Sequence, residues 1–425
     1  MLAPMLLCAA ITFAALLALK RYAPRLGLVE HPSGHRTHDA PTPVIGGIGM
    51  AAGLFLTWLV SDAIEPGPAF AFGAVGIVAV GVWDDRFGMR ARRKFAAQAL
   101  IVATALALDG DLLHSLGELL PGLDVRMAIL ALPFSVFAVL GLINATNMLD
   151  GLDGLAGKVV LVAFGWLAVC MALIGGSARL TGILAIVGAV SVFLMFNARM
   201  PGRARAHLFM GDTGSMLLGY LLAWTAIDAT QRSIAVPPIT VLWICGLPIL
   251  DTLAVSAERL LDGRSALAAG RDHLHHLLRA RGRSVGEVAL IEAGIGAATG
   301  LVGVAGWQLG MPDWLMFTLF VMVGLGYHQA FRIAWRSTRS RVAAVELMVP
   351  LAVSAASATA AADATRPADA TRPADATRPA DATKPADATR PADATRPAPT
   401  TPRRATSAEP LAEPQAEAAL SESSV

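Results

Sequence analysis

The sequence predicts an all-α, polytopic membrane protein of about eleven transmembrane helices. Three observations carry that reading. Of 425 residues, 55% are hydrophobic and only 16% are charged, where a soluble domain carries about a quarter charged. Apolar stretches near the ~20 residues needed to cross a bilayer recur along the chain. The basic residues between them alternate: of 34 Lys and Arg, 23 lie on loops after odd-numbered spans and only Arg126, Arg179 and Arg232 on loops after even-numbered ones. By the positive-inside rule the odd loops are cytoplasmic, the N-terminus is outside and the C-terminus is inside.

The spans fall at about 2–19, 44–61, 68–83, 95–109, 128–144, 159–175, 180–196, 214–228, 236–256, 286–308 and 314–331. The first lacks a basic n-region and a small-residue cleavage site, so it reads as a retained span, not a signal peptide. Cys8, Cys170 and Cys245 lie inside apolar segments and make no disulfide framework or metal pattern. The net charge of +2 says little about partners, and no nucleic-acid partner is expected. His31, His35 and His38, in the first polar loop, read as solvated histidines.

After the third span comes Asp84-Asp85-Arg86, followed by Arg90, Arg92, Arg93 and Lys94. Adjacent carboxylates at a membrane edge repel, which raises one pKa or calls for a cation. The fifth span runs into Asn144–Gly154, where Asn144, Asn147, Asp150 and Asp153 stand three apart. On a helical turn that spacing stacks them on one face. Polar groups at a membrane edge are expensive and mark function. A row of oxygen ligands suits a hard cation such as Mg²⁺ and a phosphate-bearing substrate. The two Asp-Gly steps also fit a simple turn.

Before the eighth span lies Phe209-Met-Gly-Asp-Thr-Gly-Ser215. Gly211 and Gly214 admit a ligand close to the backbone, and the helix that follows offers its N-terminus to an anion. Between the ninth and tenth spans lies Arg271-Asp-His-Leu-His-His276, with Arg279, Arg281 and Arg283 behind it. The spacing misses the helical zinc pair. Arg and His together suit phosphate oxygens better. All four constellations lie on odd, cytoplasmic loops.

The domains read as a transmembrane transferase unit over 1–335 and a disordered cytoplasmic tail over 336–425. Residues 363–398 are six copies of Asp-Ala-Thr-Arg-Pro-Ala, with Lys384 replacing Arg once. Each copy is neutral and lacks any apolar group larger than Ala, so it builds no core.

In order along the chain, Pro41-Thr-Pro-Val-Ile-Gly-Gly47, Asp84-Asp85-Arg86-Phe87, Lys94 with Gln98, Asn144–Gly154, Asn197, Met210–Ser215, Pro248-Ile-Leu-Asp251, Arg259 and Arg271–His276 resemble the polyprenyl-phosphate N-acetylhexosamine-1-phosphate transferases. The His pattern resembles the undecaprenyl-phosphate GlcNAc-1-phosphate subgroup more than the phospho-N-acetylmuramoyl-pentapeptide enzymes, although Gly270 stands where that subgroup often has an acid. The resemblance implies transfer of a sugar-1-phosphate from a UDP-sugar to undecaprenyl phosphate in the bacterial inner membrane, starting a lipid-linked envelope glycan such as O-antigen. It implies Mg²⁺, or Mn²⁺ in its place, held by Asn147 and Asp212. Asp84, Asp85, Asp150 and Asp153 are the implied catalytic acids. Lys94, Asn144, Asn197, Gly211, Arg271, His273, His275 and His276 are the implied substrate contacts, and membrane lipid and a homodimer are compatible partners. Three rivals weaken on the residues. An ion-coupled transporter expects acids at span midpoints, a dead scaffold expects a lost carboxylate, and a CDP-alcohol phosphotransferase expects an Asp-Gly-x-x-Ala-Arg signature.

Overall fold

The computed structural model describes residues 1–31, 41–64, 66–199, 202–203, 205–231, 236–266, 270 and 272–364, with side chains described as far as Thr338. Arg271, His35, His38 and the repeats beyond Ala364 lie outside the described residues. The chain divides into two units, Met1–Ser357 and Ala358–Val425.

Helices dominate the first unit: α1 (Leu2–Leu26), α2 (Gly46–Val60), α3 (Pro68–Phe87), α4 (Ala91–Asp109), α5 (Ala131–Leu149), α6 (Leu155–Leu173), α7 (Ser177–Asn197), α8 (Gly211–Gln231), α9 (Pro238–Ile244), α10 (Gly246–Leu261), α11 (Leu274–Ala280), α12 (Val285–Gln308) and α13 (Asp313–Ala364). Their ends follow local chemistry. Pro68 and Pro238 open α3 and α9 at the first helical position, where the missing N–H costs nothing. Ser284 and Glu287 form a capping box at the start of α12. Gly27 and Gly110 close α1 and α4 in the left-handed conformation.

Ten of the predicted spans fall on one helix each, and the ninth, 236–256, falls on two, α9 and α10. Seven are long and apolar enough to cross a membrane, and α9 with α10, bent by 75°, makes up to eight. The other three, α2, α4 and α8, fall short of that standard. The first is only 15 residues long, the second opens on Arg92, Arg93 and Lys94, and the third carries Asp212 and Asp228. The last helix also continues well past the predicted span, to Ala364.

The all-α expectation needs one correction, because the described residues hold two small antiparallel sheets. β1 (Val29–Glu30) pairs with β2 (Thr42–Pro43), and β3 (Ser115–Leu120) pairs with β4 (Leu123–Arg126). The second is a hairpin closed by Pro121 and Gly122, with Gly122 at φ +75°. A two-residue turn ending in Gly is a hairpin signal, here set between two short Leu-containing strands in the stretch that joins two spans.

The centre of the bundle is α8. Its residues from Thr213 to Ala223 are all buried, and α2, α3, α5 and α6 pack around it. Small residues allow that approach: a Cβ on Gly73 would meet the Tyr220 side chain, one on Gly81 the Thr213 backbone, and one on Gly219 the Ile143 backbone. This packing brings the N-terminal end of α8 beside the C-terminal ends of α3 and α5.

Candidate active site

The two adjacent acids at the end of α3 part company. Asp84 faces the first turn of α4, where its Oδ2 lies 2.8 Å from Lys94 Nζ. Its Oδ1 accepts from the Met89 N–H at 2.6 Å. Asp85 turns to α8 instead. Its Oδ1 accepts from the Asp212 N–H at 2.7 Å, and its Oδ2 from the Thr213 N–H at 3.0 Å and the Thr213 hydroxyl at 2.5 Å. Divergence relieves the repulsion expected of neighbouring carboxylates.

That arrangement corrects one expectation. The N-terminus of α8 is not open to a substrate anion, because Asp85 already occupies its first amides. The protein's own carboxylate complements the positive end of the helix. Gly211 makes room for it: φ is +72°, and a Cβ there would lie 2.6 Å from Asp85 Oδ2 and 2.5 Å from Val44 Cγ1. The Pro41–Gly47 motif backs the same turn. Gly46 and Gly47 donate their N–H groups to the carbonyls of Phe209 and Met210, each at 2.9 Å.

Asp212 therefore projects beyond a fixed helix end. Its Oδ2 lies 3.2 Å from Lys94 Nζ, so one ammonium bridges Asp84 and Asp212. Its Oδ1 accepts from the Asn147 amide, which also donates to Ser215 Oγ at 2.8 Å. Four side chains from α3, α4, α5 and α8 thus meet at one point.

The Asn/Asp row is not a single helical face. The helix α5 ends at Leu149, Asp150 caps it, and Gly151 and Gly154 (φ +76°) carry Asp153 around a turn. Only Asn144 and Asn147 share the helix. Asn144 folds its amide back onto the Leu140 carbonyl at 2.7 Å and does not line the cavity. Burial, then the charges of Asp212, Asp85 and Asp153, push the Asp150 carboxyl up to about 8. Asp153 is paired with Arg199, Nε to Oδ2 at 2.8 Å. Asn197, 4% exposed, accepts from the Gly154 N–H at 2.6 Å and donates to the Leu208 carbonyl at 2.9 Å, tying the turn to the loop before α8.

These groups open on a cavity of about 1020 Å³. Asp84, Asp85, Asn147, Asp150, Asp153, Asn197, Gly211 and Asp212 line it, and so does His276. His273 and His275 stand behind the wall, 4% and 1% exposed. The first bonds Asp251 Oδ2 through Nδ1 at 2.7 Å. The second stacks on His273 with centroids 5.7 Å apart and presses Nε2 against Gly151. Burial, then the neighbouring His276 and His273, lowers the His275 pKa to about 3, so its ring is neutral. Gly270 also has a local reason: a Cβ there would lie 2.7 Å from the Asp272 carboxylate that pairs with Arg259 and Arg264.

Two lining residues, Glu30 and Arg199, were not picked out in the sequence. Arg279, noted behind the histidine run, faces the same space, and so does His31, which was read as a solvated loop histidine. Arg199 follows Asn197 by two residues, but as one Arg in a basic loop it carried no distinguishing pattern. Asp251 was visible only as part of a motif, and nothing announced its bond to His273.

Asp84 and Asp212 are carboxylates that could hold a hard divalent cation; Lys94 now sits between them, and Asn147 turns its Nδ2 to Asp212, so its Oδ1 could join only if the amide turned over. Among the described residues no three His, Cys, Asp or Glu converge as a protein-only metal cage. Mg²⁺ is commonly held by one or two carboxylates together with water and phosphate oxygens.

The glycosyl transferase family 4 model matches residues 68–230, the stretch from α3 through α8 that builds most of this cavity. An undecaprenyl-phosphate alpha-N-acetylglucosaminyl 1-phosphate transferase from Yersinia pestis is 30% identical over 331 residues, covering 77% of this chain and 90% of that protein. The Haemophilus influenzae protein of the same name is 30% identical over 329 residues, covering 77% and 93%. That of Escherichia coli K12 is 29% identical over 323 residues, covering 75% and 88%. With the likeness spanning nearly the whole of these relatives and the cavity-forming helices inside the matched region, the chain belongs to glycosyl transferase family 4, together with the undecaprenyl-phosphate alpha-N-acetylglucosaminyl 1-phosphate transferases.

Proposed function

We propose that this protein transfers an N-acetylhexosamine-1-phosphate from a UDP-sugar to undecaprenyl phosphate and releases UMP. One observation carries the reading: Asp84, Asn147 and Asp212 line one cavity and, with Lys94 bridging the two carboxylates from behind the lining, converge from four helices, in a chain whose relatives bear that activity in their names.

The reaction joins a lipid-phosphate oxygen to the β-phosphorus of the UDP-sugar and breaks the bond from that phosphorus to the bridging oxygen. The electron pair leaves with UMP. A phosphate monoester has a second pKa near ~6, so the nucleophile is largely a dianion at neutral pH and needs little help from a base. The protein's task is then positioning and charge screening. Lys94 holds Asp84 and Asp212 at a fixed separation and brings positive charge to the phosphates. Asp85 fixes the end of α8, from which Asp212 projects. Asp150 retains its proton near neutral pH and donates a hydrogen bond to a phosphoryl or sugar oxygen. Asp153 is screened by Arg199, which also lines the cavity and can offer its charge to a phosphate. His276 and Arg279 take the nucleotide-sugar side.

Asp212 and Asn147 are the groups that would hold Mg²⁺. Once bound, the ion supplies charge neutralisation across the diphosphate. The eleven helical segments span the cytoplasmic membrane of a bacterium, with the N-terminus outside and the cavity on the cytoplasmic face. The product starts a lipid-linked envelope glycan such as O-antigen.

The test uses purified full-length protein, undecaprenyl phosphate, Mg²⁺ and a panel of UDP-sugars. UMP release and lipid products are read by mass spectrometry. A lipid diphosphate-sugar with at least one amino-sugar donor is expected. Absence of turnover with every donor would overturn the reading.

A further inference from the structure

The histidine run at the cavity wall is fastened to α10 through Asp251 and Arg259. The last helix braces that fastening from behind. Tyr327 of α13 donates its hydroxyl to Asp251 Oδ1 at 2.9 Å. The same carboxylate accepts from the Leu274 N–H at 3.0 Å and meets His273 Nδ1 at 2.7 Å. Two turns on, Trp335 Nε1 donates to the Asp272 carbonyl at 2.9 Å. Val255 of α10, Leu277 of α11 and Phe331 of α13 form a small core of their own, each under 5% exposed, with Tyr327 and Trp335 packed against it. From the far end of α11, Arg281 donates to the Ala334 carbonyl at 3.1 Å, Ser337 Oγ at 3.0 Å and Thr338 Oγ1 at 3.2 Å.

These contacts form a chain of support. A buried carboxylate, 2% exposed, is costly unless its oxygens are bonded, and three elements supply the bonds. His273 is thereby fixed and lies parallel to His275, at 5°. His275 lies 4.2 Å from His276, which lines the cavity. Neither Tyr327 nor Trp335 lines that cavity, so any influence on substrate must pass through the run.

We infer that Tyr327 and Trp335 are positioning residues for the transfer reaction, holding Asp251 and the Asp272 backbone so that the His273–His276 run presents His276 to the nucleotide sugar. The inference rests on the functional reading above, and deepens it. It makes the cytoplasmic half of α13 part of the donor-sugar side of the site.

The test compares full-length wild type with Tyr327→Phe, Trp335→Phe and the double variant in detergent. Each keeps an aromatic ring beside Phe331 and removes one donor. Loss of two ordinary hydrogen bonds predicts a rise of about tenfold in KM for UDP-GlcNAc in the double variant. The KM for undecaprenyl phosphate stays the same. Hydrogen exchange of the Leu274–Ala280 amides becomes faster, with the rest of the bundle unchanged. Two unchanged KM values would overturn the inference, and so would a parallel rise in both with a lowered unfolding temperature. If wild type itself releases no UMP, the functional reading fails separately. Exchange then decides: faster exchange confined to α11 sustains the positioning role, and unchanged exchange ends it.

Discussion

Replacing Gly211 with Ala tests the idea that the end of α8 is locked by Asp85. The backbone there has φ +72°, which costs an L-residue about 1–2 kcal/mol. The new Cβ would also lie 2.6 Å from Asp85 Oδ2. Ordinary contact begins near 3.4 Å, so the carboxylate must retreat by most of an ångström. Its bond to the Thr213 amide starts at 3.0 Å and does not survive such a shift, while the bond to the Thr213 hydroxyl, starting at 2.5 Å, is stretched but kept. A hydrogen bond to a charged group contributes about 1.5–3 kcal/mol. The sum, about 2.5–5 kcal/mol, corresponds to a fall of roughly 10²–10⁴ in turnover if it all appears as misplacement of Asp212. Gly110→Ala is the control. Its φ is +76° and nothing lies within 4 Å of the added carbon, so it bears the backbone term alone, far from the cavity. UMP release and thermal unfolding in detergent are measured on both. A well-folded Gly211→Ala with wild-type turnover would refute the reasoning, as would equal loss in Gly110→Ala.

Asp212→Asn is expected to abolish transfer while the protein still inserts and elutes as wild type; wild-type UMP release by that variant would remove Asp212 from the metal site. For His275, the unfolded pKa is 6.5 and the folded value about 3. Between those values the unfolded chain binds a proton that the native state refuses, so stability falls as pH drops below 6.5, at up to about 1.4 kcal/mol per unit. His275→Gln removes that contribution, and its unfolding temperature should decline less than that of wild type between pH 7.5 and 5; identical declines would sink the assignment. Deletion of residues 345–425 leaves every described contact of Tyr327, Trp335 and Arg281 in place, so turnover of the truncate should match wild type within about twofold, well inside the ~0.5 kcal/mol of a neutral surface change.

The helices were legible because a span announces itself by length and apolarity over many residues. The site was legible as a set of residue types, since polar groups at membrane edges have few other reasons to be there. Roles were harder to read. Asp85 and Asp84 are neighbours with identical chemistry, and only the packing of α3 on α8 sends one to a helix end and the other to Lys94. The period of three from Asn144 to Asp153 suggested one helical face, yet Gly151 and Gly154 break it after Asn147. Asp251, Tyr327 and His273 are dispersed over 77 positions, and no local pattern predicts that they meet. The β3–β4 hairpin was missed because four-to-six-residue strands with one Pro-Gly turn barely differ from an ordinary stretch joining two spans.

The lock between Asp85 and α8 also bears on the bilayer. A membrane helix meets a change in hydrocarbon thickness by tilting, and two helices that tilt independently would drag their terminal groups apart. Here α3 and α8 are seated on each other through Gly73 and Gly81 and pinned at one end by three hydrogen bonds to a single carboxylate. They tilt as one body. Asp84 and Asp212 therefore keep their separation while the lipid around them thickens or thins, and the chemistry at the edge of the membrane is insulated from the mechanics of the membrane itself.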